Sequence, residues 1–122
     1  EALTENVVRV PNDAQAKLPE DLSQYQQVLL EKQTLNIFES RHADALVQRF
    51  GTHPEFVVFG VVTEYCVSFA ARGLLERGRR VAVVQDAIET LKQEDGKKAI
   101  EDLERLGARM TTADQALRAL GR

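Results

Sequence analysis

The stretch Phe-Val-Val-Phe-Gly-Val-Val-Thr-Glu-Tyr-Cys, residues 56–66, decides how the rest of the chain is read. Its first four residues, Phe56 to Phe59, are apolar without alternation, the pattern of a strand buried on both faces. Gly60 breaks the run, and Thr63 is placed to cap a following helix. Val67, Ala70, Ala71, Leu74 and Leu75 then recur at helical spacing and form one apolar stripe. Cys66, the sole cysteine, therefore falls where strand becomes helix. At such a junction the first N–H groups of the helix and its dipole face whatever binds there.

The same grammar repeats on either side. Downstream, Gly78 ends the helix and Val81 to Val84 reads as the next buried strand, leading to Gln85-Asp86. Ala99, Ile100, Leu103 and Leu106 mark the inner face of a helix ending at Gly107. Residues 109–111 form a short outer strand, and Thr112 with Gln115 makes a capping box for a last helix with Ala113, Ala116, Leu117 and Leu120 inward. Upstream, Ser40 is the expected N-cap of a helix whose core face is Ala43, Leu46, Val47 and Phe50, closed by Gly51. Val28-Leu29-Leu30 is a short strand with Lys32 just past its end. Val7, Val8 and Val10 form another, stopped by Pro11-Asn12-Asp13. Four helices thus stop at glycines (Gly51, Gly78, Gly107, Gly121), and strands alternate with helices through short loops. The expected fold is α/β, a three-layer α-β-α arrangement around a parallel sheet with right-handed crossovers.

Bulk properties narrow the function. A chain of 122 residues makes one domain, here taken as 1–122. Charged residues are frequent but balanced, with a net charge of -3, which speaks against nucleic acid or an anionic membrane surface as partner. No apolar run approaches the roughly 18 residues of a membrane span. A lone cysteine makes no internal disulfide, so the cytoplasm is the expected compartment. The absence of tryptophan argues against a stacking platform for single strands.

In a parallel α/β sheet, ligands gather outside the carboxyl ends of the strands. Three able groups map to that edge: Lys32, Cys66 and Asp86. An ammonium and a helix N-terminus both favour the thiolate, the reactive form of cysteine. Against this stands the plain reading of a small buried core residue, the commonest fate of free cysteine. His42 and His53 make no metal-ligand spacing, and neither a metal nor another cofactor is expected. Arg77, Arg79 and Arg80 read as solvated surface, with Arg77 suited to a helix C-terminus.

The segment Gly-Val-Val-Thr-Glu-Tyr-Cys-Val, residues 60–67, resembles the nucleophile motif of the isochorismatase-like cysteine hydrolases, a superfamily that includes nicotinamidases and N-carbamoylsarcosine amidases. The likeness continues through Ala70, Ala71, Gly78 and Val83-Val84-Gln85-Asp86-Ala87, upstream to Lys32 and Phe38, and downstream to residues 107–112. It covers about Val28 to Leu120, and the Cys66 motif is its most specific part.

The resemblance implies that Cys66 is the nucleophile and Lys32 the cation holding it as thiolate, with Phe38 lining the substrate pocket. It implies a cis peptide between Val61 and Val62 that turns the Val62 N–H to join the Cys66 N–H as an oxyanion hole. Two such donors supply on the order of 3 kcal/mol each to the transition state. The implied reaction is hydrolysis of a small amide through a cysteine thioester, with nicotinamide the best single substrate. Homo-oligomers are implied as well. An isochorismatase-type vinyl ether hydrolase fits less well, since that reaction uses no cysteine nucleophile.

One part of the pattern has no match. The family's proton-transferring aspartate ends a first strand upstream of the lysine, whereas Asp13 lies in a Pro-Asn-Asp turn and Asp21 follows Leu-Pro-Glu. Nicotinamidases also carry an aspartate and two histidines for a metal in that upstream region, and neither His42 nor His53 matches them. Two accounts follow. Either the natural polypeptide has several dozen further upstream residues carrying the missing central strand, or Asp86 has taken the acid–base role. If the 122 residues were the whole protein, a degenerate hydrolase fold kept as an interaction module would be the rival function.

Overall fold

The computed structural model describes residues 6–120, so Gly121 lies outside the described residues. The chain divides into two compact units, Glu1–Phe50 and Gly51–Arg122. Among the described residues no helix is long and apolar enough to cross a membrane.

In the first unit, β1 (Val7–Val10) and β2 (Gln27–Leu30) pair in parallel, Val7 opposite Gln27 and Val10 opposite Leu30. The connection between them contains neither helix nor strand. It is turned by local side-chain acceptors: Asp13 Oδ1 takes the Gln15 and Ala16 N–H groups, and Asp21 Oδ1 that of Ser23. After β2 a 3-10 turn, Ile37–Glu39, is capped by Asn36 Oδ1, which accepts from the Phe38 N–H at 2.9 Å. Helix α1 (Ala43–Phe50) buries Ala43 and Val47. Ser40 does not cap it as expected. Its hydroxyl donates to the Glu31 carbonyl at 2.7 Å, tying the end of β2 to the helix entry, and its own carbonyl accepts the Ala43 N–H. Phe50 is exposed rather than core, because it lies on the last turn, where the helix ends and Gly51 turns the chain at φ 70°.

The second unit is a three-stranded parallel sheet in the order β3 (Glu55–Val61), β4 (Arg80–Glu89), β5 (Arg109–Thr111). A π-helical turn, Thr63–Val67, leads into α2 (Ser68–Glu76), which joins β3 to β4. Helix α3 (Gln93–Arg105) joins β4 to β5, and α4 (Ala113–Ala119) follows β5. Both crossovers step the same way along the sheet, so right-handed connection puts α2 and α3 on one face. Val81 to Val84 are all at most 3% exposed, which requires cover on both faces; α4 supplies the second layer. Leu103, fully buried on α3, is the largest side chain in this core.

Several expectations about this unit need correction. The run Phe56 to Phe59 is not buried on both faces: Val57, Phe59 and Val61 alternate outward and are exposed. β3 is an edge strand among the described residues, and α4 is too short to cover it. Leu117 and Leu120 of the α4 segment are likewise exposed, lining with Val57, Phe59 and Val84 an open apolar groove of about 340 Å³. Gly60 does not end the strand. It continues the ladder at φ 123°, a conformation that side chains resist, while β4 runs three residues further than its partner between Val58↔Val83 and Gly60↔Ile88. The polar pair Gln85-Asp86 therefore lies inside β4, within the bulge, and not at its end. Leu106, read as part of the core, is 47% exposed one residue before Gly107.

Candidate active site

The site is built on the chain's passage from β3 into α2. The Val61–Val62 peptide is cis. The Val62 carbonyl then accepts two N–H groups, from Tyr65 and from Val67, each at 3.1 Å. The second bond spans five residues and makes the turn π-helical, a geometry that concentrates at functional positions. Cys66 lies in this turn, half-buried, two residues before α2 begins, so the turn presents it at the N-terminal end of that helix. The backbone N–H groups of Val62 and Cys66 belong to the two ends of the same turn.

Thr63 behaves differently from what its position suggested, and Glu64 has a distant set of partners. Thr63 caps nothing: it is buried, and its hydroxyl donates to the Glu89 carbonyl at the end of β4, 2.9 Å away. The Glu64 carboxylate reaches the β4–α3 loop. It accepts from the Thr90 hydroxyl, from the Leu91 N–H (3.2 and 3.3 Å) and from the Lys92 N–H (2.9 Å). Partial burial raises the Glu64 carboxyl, but the Thr90, Lys92 and Leu91 hydrogen bonds outweigh it and leave it below its ordinary 4.5. Both Glu64 oxygens are thus taken by the loop. The only sequence signal was the acidic residue itself, since its partners lie 26 to 28 residues away.

The remaining named residues sit as follows. Lys32 lies just past β2 in the first unit, where its Nζ donates to the Thr34 carbonyl at 2.8 Å. Phe38 is in the 3-10 turn of the same unit, half-buried. Asp86 is engaged at a helix start: its Oδ1 accepts the Ala113 N–H, the first of α4, at 2.8 Å. It supplements the Thr112–Gln115 capping box, which forms as expected. That makes Asp86 a cap and speaks against the acid–base role considered for it. His42 Nε2 is bonded to the Asp13 carbonyl at 2.9 Å in the first unit, and His53 lies in the second. Among the described residues no three His, Cys, Asp or Glu side chains gather as a metal site.

Beside the turn a polar cleft of about 270 Å³ runs between α2 and α3, lined among others by Tyr65, Ser68, Arg72, Lys98 and Asp102. Cys66 is not among the residues lining it. At the opposite end of the sheet, Glu55 accepts from Arg109 Nε (3.1 Å) and Nη2 (2.8 Å) across β4. That bidentate pair holds the Glu55 carboxyl below its ordinary 4.5, with a further contribution from Arg80 set against partial burial.

A comparison with curated protein sequences found no match. Among solved structures, the chain is similar to a pyrazinamidase/nicotinamidase from Streptococcus mutans, with 26% identity and a TM-score of 0.64, over 70% of this chain and 48% of that one. It is similar in fold to an octameric hydrolase of unknown specificity from Escherichia coli, at 24% identity and TM-score 0.63, covering 87% and 54% of the two chains. An isochorismatase-like hydrolase from Alkaliphilus metalliredigens gives TM-score 0.68 at 17% identity, over 93% and 69%. The chain thus spans about half the length of the first two structures. Residues 3–115 match the model of the isochorismatase domain, through both units, and the chain belongs to that family.

Proposed function

We propose that this chain carries the nucleophile of a cysteine hydrolase that cleaves a small amide. The carrying observation is the place of Cys66, in a π-helical turn at the N-terminal end of α2 and a few residues after the cis Val61–Val62 bond. The family match running through residues 3–115 supports reading 1–122 as parts of one domain.

In this reading Cys66 Sγ attacks the amide carbonyl carbon as the thiolate, with Lys32 assigned as the cation that favours it. The carbonyl oxygen takes the negative charge and is received by the Val62 and Cys66 N–H groups. The C–N bond then breaks, ammonia or an amine departs with a proton taken from solvent, and an acyl thioester remains on Cys66. Water attacks the thioester, the S–C bond breaks, and the carboxylic acid leaves as the thiolate is restored and one proton returns to solvent. Nicotinamide is the first substrate to try, since the nicotinamidase of S. mutans is among the similar structures. Phe38 is assigned to the pocket wall. A cytosolic setting and assembly with further copies of the chain belong to the same proposal, the latter supported by the octameric state of the E. coli relative.

Iodoacetamide tests this directly. Alkylation of Cys66 is expected to be faster than that of a free cysteine under the same conditions. Ammonia release from nicotinamide and other small amides is expected to vanish in Cys66→Ala. A thiol no more reactive than free cysteine, with no ammonia released, overturns the hydrolase and favours the interaction module.

A further inference from the structure

We infer that Thr63 and Glu64 are positioning residues that strap the nucleophile turn to the β4–α3 loop and so set where Cys66 stands. The inference rests on Cys66 being the nucleophile, but its observations are separate from that role. Thr63 reaches the Glu89 carbonyl, and Glu64 reaches the next three residues in turn, Thr90, Leu91 and Lys92. Two adjacent side chains thus hold four consecutive residues of a loop that lies far along the chain.

The receiving side is shaped for this. Helix α3 begins after Lys92, which offers no side-chain cap of its own. The Glu64 carboxylate takes the Leu91 and Lys92 N–H groups instead, a negative charge at the positive end of the helix. Gly96 completes the fit. A Cβ there would stand 2.7 Å from Thr90 Cβ, closer than side chains tolerate, so only glycine lets the first turn of α3 settle over Thr90. Val62 and Cys66 bracket the strap: Val62 immediately precedes Thr63, and Cys66 follows Glu64 by two residues. Any slack at residues 63–64 therefore moves the thiol and the two proposed oxyanion donors together.

The test compares the full chain with Glu64→Gln, Thr63→Val and Thr63→Ser, reading Cys66 alkylation by iodoacetamide and backbone amide exchange at Leu91 and Lys92. Gln keeps the shape but cannot accept at both oxygens. Glu64→Gln and Thr63→Val are expected to slow alkylation roughly tenfold, within the hundredfold that small misplacements cost, while Thr63→Ser restores it. Exchange at Leu91 and Lys92 is expected to quicken in Glu64→Gln. Glu55→Gln, which loosens the sheet elsewhere, is expected to leave alkylation within about twofold, separating positioning from general stability. Should Glu64→Gln fail to fold, Gly96→Ala pushes on Thr90 from the far side and is expected to slow alkylation in the same way.

Three results overturn the inference: wild-type alkylation in Glu64→Gln, unchanged exchange at Leu91 and Lys92, or equal slowing by Glu55→Gln. A wild-type thiol that is itself inert sinks the hydrolase reading, and the strap's catalytic meaning with it. A reactive thiol indifferent to Glu64→Gln sinks only the strap.

Discussion

β3 and β4 begin alike and end differently. Each carries four consecutive apolar residues, Phe56 to Phe59 and Val81 to Val84, and each runs toward a candidate site residue. In β4 all four are at most 3% exposed, whereas in β3 Val57 is 43% exposed and Phe59 66%. The difference is place in the sheet. β4 lies between two strands and under helices on both faces, while β3 is an edge among the described residues, covered on one face. An apolar run reports that a strand can be buried twice; neighbours decide whether it is.

That contrast can be broken most sharply by one charge placed in each strand. Val83→Asp buries an unpaired carboxylate in a site with no room for water and is expected to abolish cooperative folding, seen as loss of the thermal transition. Phe59→Asp, on the open face, is expected to leave a folded chain of nearly unchanged circular dichroism. A milder pair sharpens the same point: Val83→Ala is expected to cost about 2 kcal/mol in urea unfolding from lost burial and an unfilled cavity. Val57→Thr is expected to stay within about 0.5 kcal/mol. Equal costs at the two positions would mean that β3 is covered in solution.

A pH titration probes how each strand is held. β4 is held by packing, which does not titrate. β3 is tied at its start by Glu55 to Arg109, and its exit by Glu64 to the 90–92 loop. Both carboxyls are depressed in the folded chain, so the unfolded chain takes up protons first. Their stabilisation is complete above the unfolded value near 4.5 and is lost as pH falls through the lower folded values. The melting temperature is expected to decline below that point, and less steeply in the double variant Glu55→Gln with Glu64→Gln. A parallel decline in both proteins would show that other groups carry the acid response.

Much of the fold was legible because it is local. The Thr112–Gln115 capping box, the 109–111 strand and the glycine stops at Gly51, Gly78 and Gly107 each follow from residues within one turn of each other. The candidate site was legible in part for the same reason: the 60–67 motif is contiguous. Two local readings failed where a distant partner competed. Thr63 and Ser40 both looked like caps, but the hydroxyl of each is committed to a carbonyl on another element, Glu89 and Glu31. The polar pair Gln85-Asp86 looked like the end of a strand because a bulge, with its unpaired residues, has no sequence pattern distinct from a loop.

The sequence by itself determined the alternation of strands and helices, the direction of their pairing and the junction at Cys66, since periodicity and turn chemistry act over a few residues. Only the tertiary structure decided that β3 keeps an open face, that Asp86 caps a helix and that Glu64 grips a loop 26 to 28 residues away. Those outcomes depend on which surfaces meet once the chain is folded, and a carboxylate carries no mark in the sequence of the N–H groups it will find.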